Sequence, residues 1–359
     1  MKSIFKRSAI AAAVLGLTSA SYAAMPNNNT MWSPHMTGWF IGVDALDLRP
    51  ENGDLDYVTL FPATSNGSFY TRAISTDYDW SWRLYGGIKF TDNDDITLSW
   101  MRMRTSDSDS VAPTGAINNQ SYSVPRWLLG NYWENVAAKV KFDLDEVYGV
   151  WGHTINFNNP WSIRYAAGIE YAKLDSDFSV SASDYNNTNQ SLGYTAESRL
   201  HGWGPRVEFD MTYHLPYGFA LFANTNAALL VSTRKIELEG FDEFNYETDV
   251  GYRAYSSYYS NRHVVVPKLG MRLGASYTYM FGQAGGEGAP CSSLTIDAGW
   301  QVESYIHAIE RPEYGYASYV QDGSDLVQPS SYSGFASTKT SNFGDQGLFL
   351  GIKFSSDWM

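Results

Sequence analysis

The sequence predicts an all-β chain: a closed antiparallel transmembrane β-barrel of about ten strands, with twelve as the alternative. Three observations predict it. Apolar and polar residues alternate with period two in roughly ten separate segments. The connections between those segments are short and long in turn. The first 23 residues carry the layout of an export signal.

The N-terminal segment comes first. Lys2, Lys6 and Arg7 form a basic start, residues 9–17 (AIAAAVLGL) an apolar run, and Ser21-Tyr22-Ala23 a small-residue cleavage site. The apolar run is well short of the roughly 20 residues a spanning helix needs. Cleavage is therefore expected after Ala23, leaving 24–359 as a single barrel domain and taking the net charge from −13 to −16. Such acidity disfavours nucleic acid as a partner. No later segment offers 18 consecutive apolar residues, and a single cysteine, Cys291, excludes an internal disulfide.

Strands are expected near 38–49, 80–90, 95–104, 142–157, 161–174, 201–214, 218–232, 263–281, 294–306 and 343–354. TDNDD, NNP and LPYG join three of the pairs tightly, and GQAGGEGAPCSS is a medium turn in the same series. The intervening connections, about 50–79, 105–141, 175–200, 233–262 and 307–342, are long and rich in Asn, Ser, Asp, Tyr and Gly; four of the five are net negative. A soluble sandwich has no reason to sort its loops by parity. A barrel in a Gram-negative outer membrane does, with short periplasmic turns and long extracellular loops.

The strand faces follow. In WSWRLYGGIKF (80–90), Trp80, Trp82, Leu84, Ile88 and Phe90 share one parity, and Arg83, Tyr85 and Lys89 the other. The fifth strand sets Trp161, Ile163, Tyr165, Ala167, Ile169 and Tyr171 against Arg164, Ala166, Gly168 and Glu170. Aromatic residues at strand ends (Trp39, Trp80, Trp161, Tyr213, Phe354) suit interfacial girdles, so the apolar face is assigned to lipid. Two strands are less regular. The fourth has Asp145-Glu146 in mid-run with apolar residues on both parities. In the third, Arg102 and Arg104 share parity with Trp100, through either a bulge or a position above the membrane rim.

The assignment directs seven cations inward (Arg83, Lys89, Arg164, Arg206, Lys268, Arg272, Lys353) and six anions (Asp44, Glu170, Glu208, Asp210, Asp297, Glu303). Two readings stay open: an internal ion-pair network filling a narrow barrel, or a narrow channel tuned by these charges. An outer-membrane protease would draw on His201, His263, Asp77 and Asp79 near the outer strand ends, but no protease motif and no G-x-S-x-G elbow accompany them. Metal-ligand spacings and phosphate loops are absent, so neither enzyme activity nor a cofactor is expected. Tyr- and Ser-rich connections such as YRAYSSYYS (252–260) suit a recognition surface, which makes a surface adhesin the alternative to a pore.

Residues 202–231, GWGPRVEFDMTYHLPYGFALFANTNAALLV, resemble the Legionella-type major outer membrane protein family, whose members carry a G-[FW]-G-P-R-x-x-x-D-M-x-Y segment, a glycine-containing turn and a strand ending A-A-L-L-V. WFIGVDALDLRP (39–50), WSIRYAAGIEYAKL (161–174) and FGDQGLFLGIKF (343–354) resemble the family's first, central and final strands, and the 80–100 hairpin has a counterpart too. The resemblance implies an outer-membrane, porin-like barrel at the cell surface and a role in attachment to host cells. Its expected partners are outer-membrane lipids and lipopolysaccharide, the barrel assembly machinery and host surface molecules. The chain departs from the pattern in having one cysteine where abundant members have several, and in continuing past Phe354 to Trp358-Met359.

Overall fold

Ten strands close into a ring in which every neighbour is antiparallel. The computed structural model describes residues 37–62, 70–112, 121–125, 135–157, 160–183, 190–245, 251–281, 292–318 and 332–357. The export segment 1–23, Cys291, the GQAGGEG turn and Trp358-Met359 lie outside the described residues. In chain order the ring strands are β1 (Gly38–Asn52), β4 (Asp79–Lys89), β5 (Asp94–Val111), β7 (Asn135–Asn156), β8 (Trp161–Ser183), β9 (Gln190–His214), β10 (Phe219–Asn245), β11 (Gly251–Phe281), β12 (Ser292–Ser318) and β13 (Tyr332–Asp357). Closure is made by β1, which pairs with β13 on one side and β4 on the other. Three short strands, β2 (Asp56–Pro62), β3 (Tyr70–Ala73) and β6 (Ser121–Pro125), form a separate sheet in the order β3-β2-β6. The ring therefore has ten strands and not the alternative twelve. The extra sheet was not foreseen.

The tight turns follow from their residues. In TDNDD the Thr91 hydroxyl donates to Asp94 Oδ2 (2.7 Å) and accepts from the Asp94 amide (2.9 Å), a side-chain-closed turn. In LPYG, Tyr217 and Gly218 take positive φ (67° and 81°), and the Leu215 amide donates to the Phe219 carbonyl at 2.8 Å.

The strands run far past the expected boundaries. Much of the long connections is strand, including YRAYSSYYS, which lies within β11. β10 has 27 residues; at about 3.3 Å each and a tilt of about 40° it would stand on the order of 70 Å high. An apolar membrane band is only about 25 Å tall, so more than half of β10 stands in water.

That division shows in the long strands as an inversion of faces. Along β7 the even-numbered side chains point inward throughout. Its outward residues change from Lys139, Lys141, Asp143 and Asp145 to Val147, Trp151 and Ile155. The inward residues change at the same level in the opposite sense, from buried Val136, Ala138, Val140, Phe142 and Leu144 to Glu146. Below the crossing the wall is apolar outside and polar inside. Above it the wall is polar outside and packs an apolar interior, as a water-soluble sheet does. The inversion accounts for the apolar residues on both parities of this strand. It also accounts for Arg102 and Arg104. The β5–β7 ladder runs unbroken from Asp94↔His153 to Val111↔Val136, so no bulge intervenes; the arginines stand on the outward face above Trp100.

Candidate functional site

The lumen holds two stacked layers. The lower is charged and lies within the apolar outer band. Lys268 on β11 is its centre, with Nζ 2.5 Å from Glu146 Oε2 (β7), 2.9 Å from Glu303 Oε2 (β12) and 3.1 Å from Glu170 Oε1 (β8). Arg206 on β9 reaches Glu170 (2.5 Å), Glu208 (2.7 Å) and Glu146 (3.2 Å) and stacks on the Tyr148 ring at 3.7 Å. Tyr305 donates its hydroxyl to Glu146 at 2.7 Å. Arg83 lies 3.6 Å from both Asp44 and Glu303. Arg272 pairs with Asp44 at 2.8 Å, approaches Asp297 at 3.8 Å and lies over the Phe349 ring at 4.0 Å. Gly351 is required here, because a Cβ at that position would sit 2.5 Å from carboxylate oxygens of both Asp44 and Asp297. Lys268, Glu146, Glu170, Asp44, Gln301 and Tyr305 are all 0% exposed. Lys268, Arg206, Glu146, Glu170, Glu303 and Asp44 each lie within 4 Å of at least one opposite charge, which offsets the cost of burying them.

Nearer the short turns, Arg164 on β8 forms a second cluster. It grips Asp95 with two nitrogens (2.7 and 2.8 Å) and reaches Asp210 at 2.9 Å and Glu208 at 3.3 Å. Glu208 thus joins the two clusters. Lys89 and Lys353 are only half-buried, close to the short-turn end, where Lys89 stands directly opposite Asp95 and Lys353 lies diagonally across from Asp297.

The upper layer is an apolar plug. Leu46, Leu48, Met101, Met103, Phe142, Leu144, Phe178 and Phe343 from the wall pack with Leu55, Tyr57, Val58, Leu60 and Ile74 from the β2–β3 region. A polar latch fixes this insertion. Arg311, 1% exposed, donates to the Asp54 carbonyl (2.6 Å), to Ser176 (2.9 Å) and to Asn52 (3.1 Å). Beside it Glu310 is held by Arg234 and by Arg262. Tyr57 donates to Asp109, itself paired with Arg72 at 2.9 Å. Burial, then the Asp109 charge, pushes the Tyr57 phenol up to about 12, so it stays a neutral donor at physiological pH.

Of the thirteen inward candidates, eleven make the ion-pair contacts of the two linked clusters, and Lys89 and Lys353 border them beside Asp95 and Asp297. Sequence reasoning missed Glu146, Asp95 and Asp345. Glu146 was hidden by the face inversion and Asp95 by its place at the end of a turn. Asp345 accepts a bond from Gln301 at 3.3 Å and is 1% exposed. Its signal was present in the alternation of FGDQGLFLGIKF, where it shares parity with the inward Lys353. The rim residues weighed for proteolysis are not brought together. His201 and His263 point outward on β9 and β11, with Thr233 of β10 between them. Asp79 is on β4, four strands from β9 around the ring, and the Asp77 amide donates to Asp107 at 3.2 Å. Among the described residues no group of three or more His, Cys, Asp or Glu is arranged to hold a metal ion.

Solved barrels resemble the chain distantly. The outer membrane protease OmpT of Escherichia coli is 9% identical with a TM-score of 0.35, over 92% of this chain and 99% of that one. A FadL homologue of Pseudomonas aeruginosa is 10% identical with a TM-score of 0.28 (90% and 91%). OprG of Pseudomonas aeruginosa is 13% identical with a TM-score of 0.23 (67% and 97%). Likenesses this remote assign no residue and no activity here. No curated protein sequence matches the chain. The family model described as the Legionella pneumophila major outer membrane protein precursor matches residues 32–356, and with that match covering all but the last described residue of the barrel, the chain belongs to this outer membrane protein family.

Proposed function

We propose that this protein is a structural barrel of the outer membrane, closed at rest, that carries a tall water-facing extension to the cell surface and performs no catalysis. One observation carries the reading: a charged layer with a fully buried centre at Lys268, Glu146 and Glu170 lies directly beneath a buried apolar plug. An open diffusion pore needs a continuous wetted path, and side chains at 0% exposure in both layers do not line one. The extension, with a polar outward face, is the part available to other molecules. Export after cleavage near Ala23 delivers the chain to that membrane.

Liposome swelling tests the proposal. The refolded full-length protein should give no faster influx of small sugars than protein-free vesicles. Swelling at the rate of a general porin would refute it. A second reading, gated passage, is favoured by the separateness of the β3-β2-β6 sheet from the wall and by its dependence on Arg311. Swelling by Arg311→Ala but not by the unmodified protein would support that reading.

A further inference from the structure

Two ladders of the wall end on one rung. The β11–β12 ladder stops at Lys268↔Tyr305 and the β1–β13 ladder at Asn52↔Phe343. Tyr305 and Phe343 are themselves cross-strand partners. The β11 residue beyond that rung is Pro267, which has no N–H and belongs at sheet edges. Above this line β12 and β13 continue as a two-stranded hairpin, paired from Ile309↔Ser341 to Ser318↔Tyr332. Among the described residues, neither outer edge of that hairpin pairs with a strand of the wall.

The chain also bends there. Between Tyr305↔Phe343 and Ile309↔Ser341, β12 uses two more residues than β13, which is a bulge. Within it His307 takes a φ of 55°, a left-handed conformation uncommon for a residue with a Cβ. Its amide donates to Asn342 Oδ1 at 2.9 Å and its carbonyl accepts from Arg234 at 2.7 Å, while the imidazole is exposed. Past the bulge the chain crosses the lumen. The Glu310 amide donates to Ser198 Oγ on β9 at 3.3 Å. A β12 backbone standing in the wall would be three strand spacings, about 14 Å, from β9. Arg311 reaches still further, to Ser176 on β8 at 2.9 Å. Ala308, Ile309, Glu310 and Arg311 are consecutive and each at most 1% exposed. A wall strand with one wet face buries alternate residues; a strand enclosed on both faces buries them all.

We infer that the upper β12–β13 hairpin is a hinged lid over the lumen, with the bulge at 306–308 as its hinge and Glu310 and Arg311 as its latch. Arg234 and Arg262 stand directly opposite each other on β10 and β11. Like charges so placed destabilise a sheet, and Glu310 of the lid is their shared counter-charge. Arg311 ties the lid to the β2–β3 insertion through the Asp54 carbonyl at 2.6 Å, and Lys339 on β13 pairs with Asp54 at 3.0 Å. Lid and insertion therefore move together, and the remaining strands are a fixed frame. The inference rests on the reading of the lumen as closed at rest and names the element that closes its outer end.

Distance measurement by double electron–electron resonance tests it, in the refolded full-length protein carrying Cys291→Ser. One nitroxide is attached at Thr338→Cys on the hairpin and the other at Ser181→Cys on β8, both exposed positions. The intact latch should give one narrow distance. Arg234→Ala should add a longer one, its share rising at least about tenfold, the factor that 1.4 kcal/mol represents. His307→Val should do the same, because a β-branched residue fits the left-handed region worst, whereas His307→Asn, which fits it, should not. The His307 side chain is exposed, so these two variants remove no buried contact, and retained gel mobility without heating verifies folding. The labels report the hairpin and not conduction. Current through the unmodified protein would refute the closed lumen. A single unchanged distance in both Arg234→Ala and His307→Val, or the same shift in His307→Asn, would overturn the lid and leave the closed lumen standing.

Discussion

Lys268→Met isolates the charged layer. The substitution keeps most of the side-chain volume and removes one ammonium that faces three carboxylates at 2.5, 2.9 and 3.1 Å, all within a site closed to water. Only Arg206 and Arg83 then remain against Glu146, Glu170 and Glu303, with Arg83 no nearer than 3.6 Å to Glu303. Removing one member of a buried ion pair typically costs about 3–5 kcal/mol, because the partner charge stays buried without compensation. Three partners place Lys268 toward the upper end of that range. Urea unfolding in detergent micelles, followed by tryptophan fluorescence and by gel mobility without heating, measures it. With m near 1–3 kcal/mol/M, the midpoint should fall by at least about 1 M. Adding Glu146→Gln to Lys268→Met should recover part of the loss, since the carboxylate that loses its main partner becomes neutral. A single variant within about 1 kcal/mol of the unmodified protein, or a double variant whose costs simply add, would refute the account of the lumen as a mutually dependent ion-pair layer.

Two further substitutions probe the wall. Gly204→Val should block assembly, because a Cβ at Gly204 would stand 1.9 Å from the Leu229 carbonyl oxygen, which is backbone that cannot yield; normal folding yield would show that β9 and β10 are not so close. Leu84→Arg places a charge on the exposed lipid face of β4, and should cost roughly 2–4 kcal/mol if the site is near mid-bilayer; unchanged refolding into vesicles would mean that this face does not meet lipid.

The ring of ten strands was legible because period-two alternation and turn chemistry are local. Trp80, Leu84 and Ile88 declare a face within one strand, and TDNDD closes its own turn. The strand ends were not legible. In the upper wall the alternation continues with its faces exchanged: Val140, Phe142 and Leu144 point inward where Val147 and Trp151 point outward. A reading that ties apolar to one parity sees such a strand stop at the exchange. The lumen charges were legible in strand segments that lie well within the band, as with Arg206 and Glu208. Glu146, at the exchange itself, was not. The β2–β3 insertion was hidden for a different reason. Its burial depends on long-range contacts, Asp54 with Arg311 and Tyr57 with Asp109, that no local pattern reports.

The closed lumen is the central claim, and single-channel recording in a planar bilayer tests it most directly. The refolded full-length protein should insert and pass no steady current at moderate voltage. A stable, ohmic conductance from the unmodified protein would contradict the closed, filled barrel described above.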